Sequence, residues 1–408
     1  FKDKTIAITV CEDIWNIGYE NPLYTVCPMD EMMAQKPDFI INLSASPFSY
    51  EHSRERIELI RSNVLKYQIP MFYVNHYGSQ TDIVFDGGSV VMSANGNVYD
   101  EMPYFEECVR TYQLHDVILG QKSREQVKEK IDLIYRALVI GIKDYFNKLG
   151  FKKAILGLSG GIDSAITTTL AVDALGAENV MVLLMPSQFS SEGSIQDAKE
   201  LAINLGIQYE IIPIQDVYKS YEKVLQPYFE GLTPNVTEEN IQARIRGMLL
   251  MAFSNKFNSI LLNTTNKSEM SVGYGTLYGD LCGGLAVLAD VYKTEVYQLA
   301  HYINRKSIRI PINSITKPPS AELRPDQKDS DSLPDYDILD QVLYQYIELR
   351  KGPDEIIKMG FDSAIVLRAL KLVNRSEFKR YQSPPVIRIS SKSFGLGRRL
   401  PIEAKYLC

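Results

Sequence analysis

A glycine-rich turn between a predicted strand and a predicted helix constrains the fold of this chain more than any other feature. Residues 157–164 read Gly-Leu-Ser-Gly-Gly-Ile-Asp-Ser, directly after the apolar run 154–156 and directly before a helical pattern. The start of a helix offers unpaired N–H donors and a partial positive charge, and glycine lets the backbone approach a phosphate closely. The turn therefore predicts a phosphate site, with a plain connection between strand and helix as the alternative.

The acidic residue of this turn predicts a divalent cation. The Asp163 carboxylate would lie beside the phosphates and repel them unless a cation such as Mg²⁺ lay between them. No Lys-Ser/Thr pair follows the glycines, so the turn differs from the usual P-loop. The six residues 159–164 resemble the Ser-Gly-Gly-x-Asp-Ser loop of ATP pyrophosphatases. That resemblance implies cleavage of ATP to AMP and pyrophosphate.

The chain after residue 151 alternates short apolar runs with helical patterns. The predicted strands are 154–158, 179–185, 208–214 and 259–264, and the predicted helices are 163–175, 194–205, 216–229 and 238–257. Strands separated by helices predict an α/β fold with a doubly wound parallel sheet. Ligands bind such sheets at the carboxyl ends of the strands, which is where the glycine-rich turn falls.

The first hundred residues predict a second, separate arrangement of strands and helices. Strands are predicted at 5–10, 39–43, 71–74 and 85–92, with a helix at 53–67 and a hairpin turn at 95–97. A mixed, polar stretch follows, and a further helix is predicted at 127–149. We expect a first domain at 1–115, a linker at 116–130 and a second domain at 131–408.

Residues 315–335 are rich in Pro, Asp and Ser. This composition predicts a mobile loop or lid, and an ordinary surface loop is equally consistent with it.

The bulk properties exclude several classes of protein. A chain of 408 residues is too long for a single core, so two or three domains are expected. The net charge of −6 argues against general binding to nucleic acid or to membrane surfaces. No apolar run approaches the roughly 18 residues of a membrane span. The five scattered cysteines include no CxxC pair, which predicts neither a disulfide framework nor a zinc site and fits a reducing cytoplasm.

Motifs along residues 131–408 resemble the NAD synthetase family, which amidates nicotinic acid adenine dinucleotide. Further segments carry the resemblance together with the glycine loop: Ser190-Ser191, Asp197-Ala198, Asn-Ile-Gln-Ala-Arg-Ile-Arg at 240–246, Asn-Thr-Thr-Asn-Lys-Ser-Glu at 263–269, Tyr-Gly-Asp at 278–280, Asp-Val-Tyr-Lys at 290–293, Ser-Ala-Glu-Leu at 320–323 and Arg-Arg-Leu-Pro-Ile at 398–402. The resemblance implies a synthetase domain of the adenine nucleotide alpha hydrolase type.

The resemblance also implies a reaction and a set of site residues. The substrate carboxylate attacks the α-phosphate of ATP, pyrophosphate leaves, and ammonia then displaces AMP from the acyl-adenylate. Positioning and charge neutralisation are the main tasks of the protein in such a reaction. The implied ATP-binding residues are Ser159, Gly160, Gly161, Asp163, Ser164, Thr264 and Lys293. The implied Mg²⁺ ligands are Asp163 and Glu269, and the implied substrate-binding residues are Arg244, Arg246 and Asp280.

Each of these residue types also has an ordinary structural explanation. Glu269 lies near a predicted helix start, where carboxylates are favoured in any protein. Lys293 and the two arginines would, without the resemblance, be consistent with solvated helix charges. Asp280 follows a glycine and is consistent with a simple turn residue.

The N-terminal residues contain a candidate nucleophile. Cys11 ends the first predicted strand, and a thiol there with free N–H groups just beyond suits nucleophilic catalysis, although a small buried residue is the alternative. Cys-Glu-Asp-Ile-Trp at 11–15 and the segments 42–48 and 82–89 resemble the nitrilase-type glutaminase domain of glutamine-dependent NAD synthetases. The resemblance implies half of an α-β-β-α sandwich, with Cys11 releasing ammonia from glutamine. It further implies glutamine contacts from Ser46 and His52.

Two departures from the family pattern limit this expectation. His52 stands where the family usually has a Lys or Arg after the Ser-Pro segment. The second departure lies upstream of Cys11. The family's cysteine works with a glutamate and a lysine placed well upstream, whereas only ten residues precede Cys11. We therefore expect about half of the nitrilase fold to be absent, and the chain as given not to release glutamate from glutamine, which an assay of glutamate would test.

Two other functions remain open at this point. The first is a different ATP-dependent amidating ligase or thiolase, because GMP synthetase and asparagine synthetase carry similar loops. The second is a non-catalytic, nucleotide-binding remnant. The resemblance to NAD synthetase also implies a homo-oligomer, a dimer or larger.

Overall fold

The computed structural model of the chain describes residues 1–17, 24–120, 123–124, 126, 128–403 and 406. The chain forms two compact units, Phe1–Gly141 and Ile142–Cys408. The boundary between them lies inside the helix Lys130–Leu149. Part of the predicted linker, at residues 121–122, 125 and 127, lies outside the described residues. The domain limits at 115 and 131 stay a prediction.

The first unit is built on a sheet with mixed strand directions. Its strands are β1 (Ile6–Val10), β2 (Phe39–Ser44), β3 (Met71–Asn75), β4 (Tyr77–Gln80), β5 (Ile83–Asp86), β6 (Val90–Met92) and β7 (Val98–Glu101). Its helices are α1 (Pro28–Met32), α2 (His52–Tyr67) and α3 (Leu114–Leu119), followed by α4 (Lys130–Leu149) at the boundary. Among the described residues, the five-stranded sheet has the order β1-β2-β3-β6-β7, with parallel pairing from β1 to β3 and antiparallel pairing beyond.

The two faces of this sheet differ in burial. On one face, Ile40 and Met71 are fully buried and pack with Ile60 and Val64 of α2. The opposite face is apolar but open: the exposed apolar side chains of β1 to β3 are Ile8, Val10, Leu43 and Val74. Strict alternation of side chains along each strand produces both faces. The open face is the one that a second sheet covers in an α-β-β-α sandwich.

The single strand predicted at 85–92 is wrong, because the chain turns in the middle of it. β5 ends at Asp86 and pairs with β4 in a separate two-stranded sheet, whereas β6 starts at Val90 in the main sheet. Gly87 (φ +65°) and Gly88 (φ +58°) both adopt the left-handed conformation. Two successive residues in the left-handed conformation end a strand, and only glycine adopts this conformation without strain.

The second unit alternates strands and helices before it ends in helices. Its strands are β8 (Lys153–Gly157), β9 (Val180–Leu184), β10 (Gln208–Ile211), β11 (Ser259–Asn263) and β12 (Leu285–Ala286). Its helices are α5 (Ile162–Leu175), α6 (Glu192–Leu205), α7 (Gln215–Phe229), α8 (Val236–Phe257), α9 (Lys267–Val272), α10 (Lys293–Asn304), α11 (Ile312–Thr316), α12 (Tyr336–Ile347), α13 (Pro353–Lys358), α14 (Ser363–Arg375) and α15 (Glu377–Arg380).

The topology of this unit determines where a ligand binds. Its strands are all parallel, in the order β10-β9-β8-β11-β12 among the described residues. The chain runs outward from β8 on one side and from β11 on the other, so the strand order reverses between β8 and β11. Such a reversal opens a crevice at the carboxyl ends of the two strands. The doubly wound sheet predicted from the sequence is therefore present, and none of the described helices is long and apolar enough to cross a membrane.

Candidate functional site

The glycine-rich turn joins β8 to α5 at this crevice. Gly160 adopts φ +83°, and a Cβ atom there would lie 2.1 Å from the Ser194 carbonyl oxygen. Such a contact is far below any real approach, so the close passage of the turn against α6 requires glycine. The N–H groups at the start of α5 are thereby left facing the crevice.

Hydroxyl groups hold this turn in shape without any ligand. Ser164 Oγ donates to the Gly161 carbonyl (3.0 Å), and Ser159 Oγ accepts from Gly161 N (3.2 Å). Ser314 Oγ of α11 donates to the Gly160 carbonyl (2.9 Å) from outside the turn. The phosphate loop predicted from the sequence is thus preorganised.

A lysine lies between two carboxylates beside the turn. Lys293 Nζ, at the start of α10, is 2.5 Å from Asp163 Oδ2 and 3.8 Å from Glu269 Oε1. Asn266 Nδ2 donates to the other oxygen of Asp163 (3.0 Å). Three residues predicted as separate ligands therefore meet from α5, α9 and α10.

Burial gives this cluster unusual electrostatics. Burial raises the pKa of Glu269 well above its ordinary value, and the charge of Asp163 raises it further. Burial also opposes the charge on Lys293, but the charges of Asp163 and Glu269 outweigh it and raise the pKa of the ammonium group. The site thus offers the oxygens of two carboxyl groups beside a single ammonium group. These oxygens are of the type that Mg²⁺ prefers, so these residues fit the predicted cation.

The predicted substrate arginines lie on α8. Arg246 Nε donates to the Met185 carbonyl (3.0 Å) at the carboxyl end of β9, and burial lowers its pKa to about 10. Arg244 is exposed, and its Nε donates to the Leu277 carbonyl (3.3 Å). Arg246 is therefore aimed at the crevice edge of the sheet, while Arg244 supports a neighbouring loop.

The other two predicted positions lie near β11. Thr264 follows β11 directly, at the same edge of the sheet as the turn. The Asp280 carboxylate accepts from Thr276 N (2.7 Å), and its carbonyl accepts from Asn263 Nδ2 (2.7 Å). These bonds make Asp280 a turn residue, and its side chain remains exposed for a ligand.

The loop predicted as a lid is fastened on two sides. The Glu322 carboxylate accepts from the hydroxyls of Ser191 (2.9 Å) and Ser194 (2.8 Å) at the start of α6. On the other side, Gln242 Nε2 of α8 donates to the Leu323 carbonyl (2.9 Å). Glu322 itself adopts φ +49°, a strained conformation for a residue with a side chain. The loop thus depends on specific polar contacts for its position.

The first unit brings Ser46 and His52 together, and Trp15, four residues after Cys11, stacks on His52. Cys11 follows β1 with φ +46° and begins a short 3₁₀ turn that ends before Trp15. The Trp15 ring stacks on His52 with 5.3 Å between ring centroids, and His52 Nε2 lies 3.0 Å from Ser46 Oγ. Burial lowers the pKa of His52, which favours its neutral form. A left-handed conformation at a residue that ends a strand is typical of exposed nucleophiles on sharp turns.

Several residues that contact the candidate site of the second unit carry no role in the predictions from the sequence. Asn266 lies within a quoted motif but was given no contact, and its place before α9 as an N-cap signalled its position. Ser314 is distant from the loop in sequence and carries no local signal. Asp340, on α12, is bonded to the starts of α9 and α10 and was missed for the same reason.

Comparison with known proteins identifies the family. The family model described as NAD synthase matches residues 134–383. A glutamine-dependent NAD(+) synthetase from Synechocystis sp. is 45% identical over 411 aligned positions, covering 100% of this chain and 74% of that protein. The chain belongs to the glutamine-dependent NAD(+) synthetases. The family and the fold predicted from the sequence are confirmed.

Solved structures of this family agree. The glutamine-dependent NAD+ synthetase from Acinetobacter baumannii in complex with adenosine diphosphate matches with a TM-score of 0.71 and 39% identity, covering 97% of this chain and 72% of that one. An NH3-dependent NAD synthetase from Campylobacter jejuni in complex with the nitrate ion matches with a TM-score of 0.51 and 31% identity. The match covers 64% of this chain and 100% of that protein, which is named as NH3-dependent and not as glutamine-dependent.

Proposed function

We propose that the chain catalyses the ATP-dependent amidation of nicotinic acid adenine dinucleotide to NAD through an adenylated intermediate. The observation that carries this proposal is the contact of Lys293 with Asp163 and Glu269 beside the glycine turn. That arrangement places a fixed positive charge, two carboxylates and a helix start around one point of the crevice. Such a site stabilises the charge of a leaving pyrophosphate.

Different residues of the site are proposed to bind different parts of the reactants in the first step. The substrate carboxylate attacks the α-phosphorus of ATP, and the bond to the pyrophosphate oxygen breaks. The proposed pyrophosphate holders are the loop residues Ser159, Gly160, Gly161 and Ser164, with Lys293 as a point charge. Mg²⁺ would be held by Asp163 and Glu269 and would neutralise phosphate charge. Arg246, Thr264 and the exposed Arg244 and Asp280 are proposed to bind ATP or the dinucleotide.

In the second step, ammonia adds to the acyl carbon, AMP leaves, and a proton is lost from nitrogen. We propose that glutamine supplies this ammonia in a protein of the full length of the relatives, because the chain as given is expected not to release glutamate from glutamine. The Cys11 thiolate attacks the glutamine side-chain amide carbon, the C–N bond breaks as the nitrogen takes up the proton lost by the thiol, and ammonia leaves. Water then hydrolyses the thioester to glutamate and the free thiol. Ser46 and His52, which lie within hydrogen-bond distance of each other, are proposed to bind the glutamine.

We also propose a homo-oligomer in the cytoplasm, a dimer or larger. Four side chains on α7, namely Val217, Tyr221, Val224 and Tyr228, are 40–78% exposed and form one stripe at helical spacing. A groove of about 420 Å³ runs along Val217, Tyr221 and Val224. Contiguous apolar surface of this kind on a soluble protein is typical of an interface. A second copy of the chain is its proposed occupant.

Product analysis tests the proposed reaction. With Mg²⁺, ATP and ammonium chloride, the chain is expected to release AMP and pyrophosphate with nicotinic acid adenine dinucleotide, and not with xanthosine monophosphate or aspartate. Release with either of the other two acids would support a different amidating ligase. Binding of ATP with no AMP formed from any acid would support a nucleotide-binding remnant.

A further inference from the structure

A buried carboxylate on α12 joins the two helix starts that carry the charges of the site. Asp340 is only 5% exposed. One of its oxygens accepts from the Ser268 hydroxyl, next to Glu269 on α9, and the other accepts from Thr294 N (2.9 Å) on α10. A single side chain therefore contacts both α9 and α10.

The contact with α10 extends through Ser268 to Lys293. Lys293 N donates to Ser268 Oγ (2.9 Å), while that hydroxyl donates to Asp340. The first N–H groups of a helix have no partner within the helix. The N–H group of Thr294 donates directly to Asp340. The N–H group of Lys293 donates to the Ser268 hydroxyl, which in turn donates to Asp340. A carboxylate at a helix start also interacts favourably with the helix dipole.

Apolar side chains pack beside Asp340 on its own helix, and the buried Glu295 of α10 lies near enough to raise its pKa further. Leu339, Val342 and Leu343 of the same helix are fully buried and pack in a hydrophobic cluster. A carboxylate in such a place costs stability relative to a well-packed apolar residue, unless its hydrogen bonds compensate. The hydrogen bonds that Asp340 accepts from α9 and α10 therefore explain an aspartate at residue 340 better than the packing of α12 does.

We propose that Asp340 is a positioning residue for the amidation reaction, which sets the starts of α9 and α10 so that Glu269 and Lys293 face Asp163. This inference rests on the proposed function. Asp340 touches no reacting atom, and acts through the backbone of residues 268 and 293–294. A side chain of the same shape without the charge holds the two helix starts less firmly.

Three variants test this role in the full chain. Asp340→Asn keeps the shape and one acceptor oxygen, and Ser268→Ala removes only the bridging hydroxyl. We expect a fall in kcat of about tenfold for Asp340→Asn and a smaller fall for Ser268→Ala, with folding retained. The matched control is Asp362→Asn, because Asp362 caps α14 through Ile365 N (3.0 Å), a helix start that carries no residue of the site. Its kcat is expected to equal that of the wild type.

A double-mutant cycle separates positioning from general stability. We compare the effect of Asp340→Asn in two backgrounds. It is expected to lower kcat about tenfold in the wild type. If Asp340 acts through Lys293, it lowers kcat by less than twofold in a protein that already carries Lys293→Ala. Equal losses in both backgrounds, or a wild-type kcat in Asp340→Asn, would overturn the role of Asp340.

A crystal structure of Asp340→Asn gives a readout that does not depend on turnover. We expect Lys293 Nζ to leave its contact with Asp163, and an unchanged contact would overturn the proposal. Failure of the proposed function is distinguishable, because it would appear as absent AMP formation in the wild type itself.

Discussion

Asp163 combines two demands at one side chain, since it accepts hydrogen bonds from Lys293 and Asn266 and faces the proposed phosphate site. Its carboxylate must be charged to attract a cation, and the ammonium of Lys293 supports that charge. A sequence motif shows that a carboxylate is present at this position, but it does not show which side chains the carboxylate contacts.

Replacement of Asp163 by Ala is expected to lower pyrophosphate release by about a thousandfold, because the cation and Lys293 both lose their partner. Steady-state measurement of pyrophosphate gives the rate. The control is Asp173→Asn near the other end of α5, which breaks the ion pair with Arg309 on the surface and is expected to leave the rate unchanged. Undiminished amide formation in Asp163→Ala would contradict the assignment of the loop.

The pH dependence of stability gives a second prediction for Asp340. Burial raises its pKa to about 6, so the folded protein holds this proton more tightly than the unfolded chain does. The resulting stability is fully present below the unfolded pKa and is lost as the pH rises through about 6, up to about 3 kcal/mol.

Asp340→Asn cannot ionise, so its melting temperature relative to the wild type is expected to rise between pH 5 and pH 8. Calorimetry of both proteins across this range measures the difference. A difference that does not change with pH would contradict a buried, ionising carboxylate at this position.

At the scale of elements, the glycine turn and the lid are each held by a few specific polar contacts. Gly160→Ala would place a Cβ atom against the Ser194 carbonyl, and the turn must move to accept it. We expect at least about a tenfold loss of ATP affinity, measured by calorimetry.

Gly206→Ala is the matched control for the turn. Gly206 also adopts a left-handed conformation (φ +65°), at the end of α6, but a Cβ there meets nothing within 4 Å. Its strain costs about 1 kcal/mol of stability and is expected to leave ATP affinity intact. Equal affinity in both variants would argue against the turn as the phosphate site.

The lid gives an element-scale prediction of its own. Glu322→Ala removes the bonds to Ser191 and Ser194, so residues 320–328 are expected to be released from α6, while Lys317 keeps its bonds to Ser194 and Asp197. Trypsin should then cleave faster after Lys328 than it does in the wild type, whereas Lys317 and Arg324 each precede a proline and resist trypsin. Glu200→Ala, an exposed change on the same helix α6, serves as the control. Equal cleavage rates in the two variants would mean that Glu322 does not hold the lid.

At the scale of the whole molecule, the apolar stripe of α7 predicts self-association. Val224→Glu places a charge in the middle of this stripe, and sedimentation is expected to show a shift from dimer to monomer. Ile203→Glu changes an equally exposed apolar residue on α6, since Ile203 and Val224 are 67% and 66% exposed, and should leave the dimer intact. A monomeric wild type would overturn the proposed homo-oligomer.

Local patterns predicted the elements of the second unit closely, because each strand and helix there has its own periodicity and its own stop signal. The predicted helices at 163–175 and 194–205 correspond to α5 and α6, each followed by the expected glycine. Prediction failed at 85–92, where apolar residues run on through a turn. Two adjacent glycines carried the signal that was overlooked, since both permit the left-handed conformation.

The sequence by itself determined the family, the parallel sheet and the glycine-rich turn, because these depend on residues that are close together along the chain. Only the tertiary structure decided which side chains meet: Lys293 reaches Asp163 across 130 residues, and Ser314 reaches Gly160 across 154. Asp340 likewise contacts Ser268 from another helix 72 residues away. Contacts between distant segments follow from how the helices pack on the sheet, and no local periodicity records that packing.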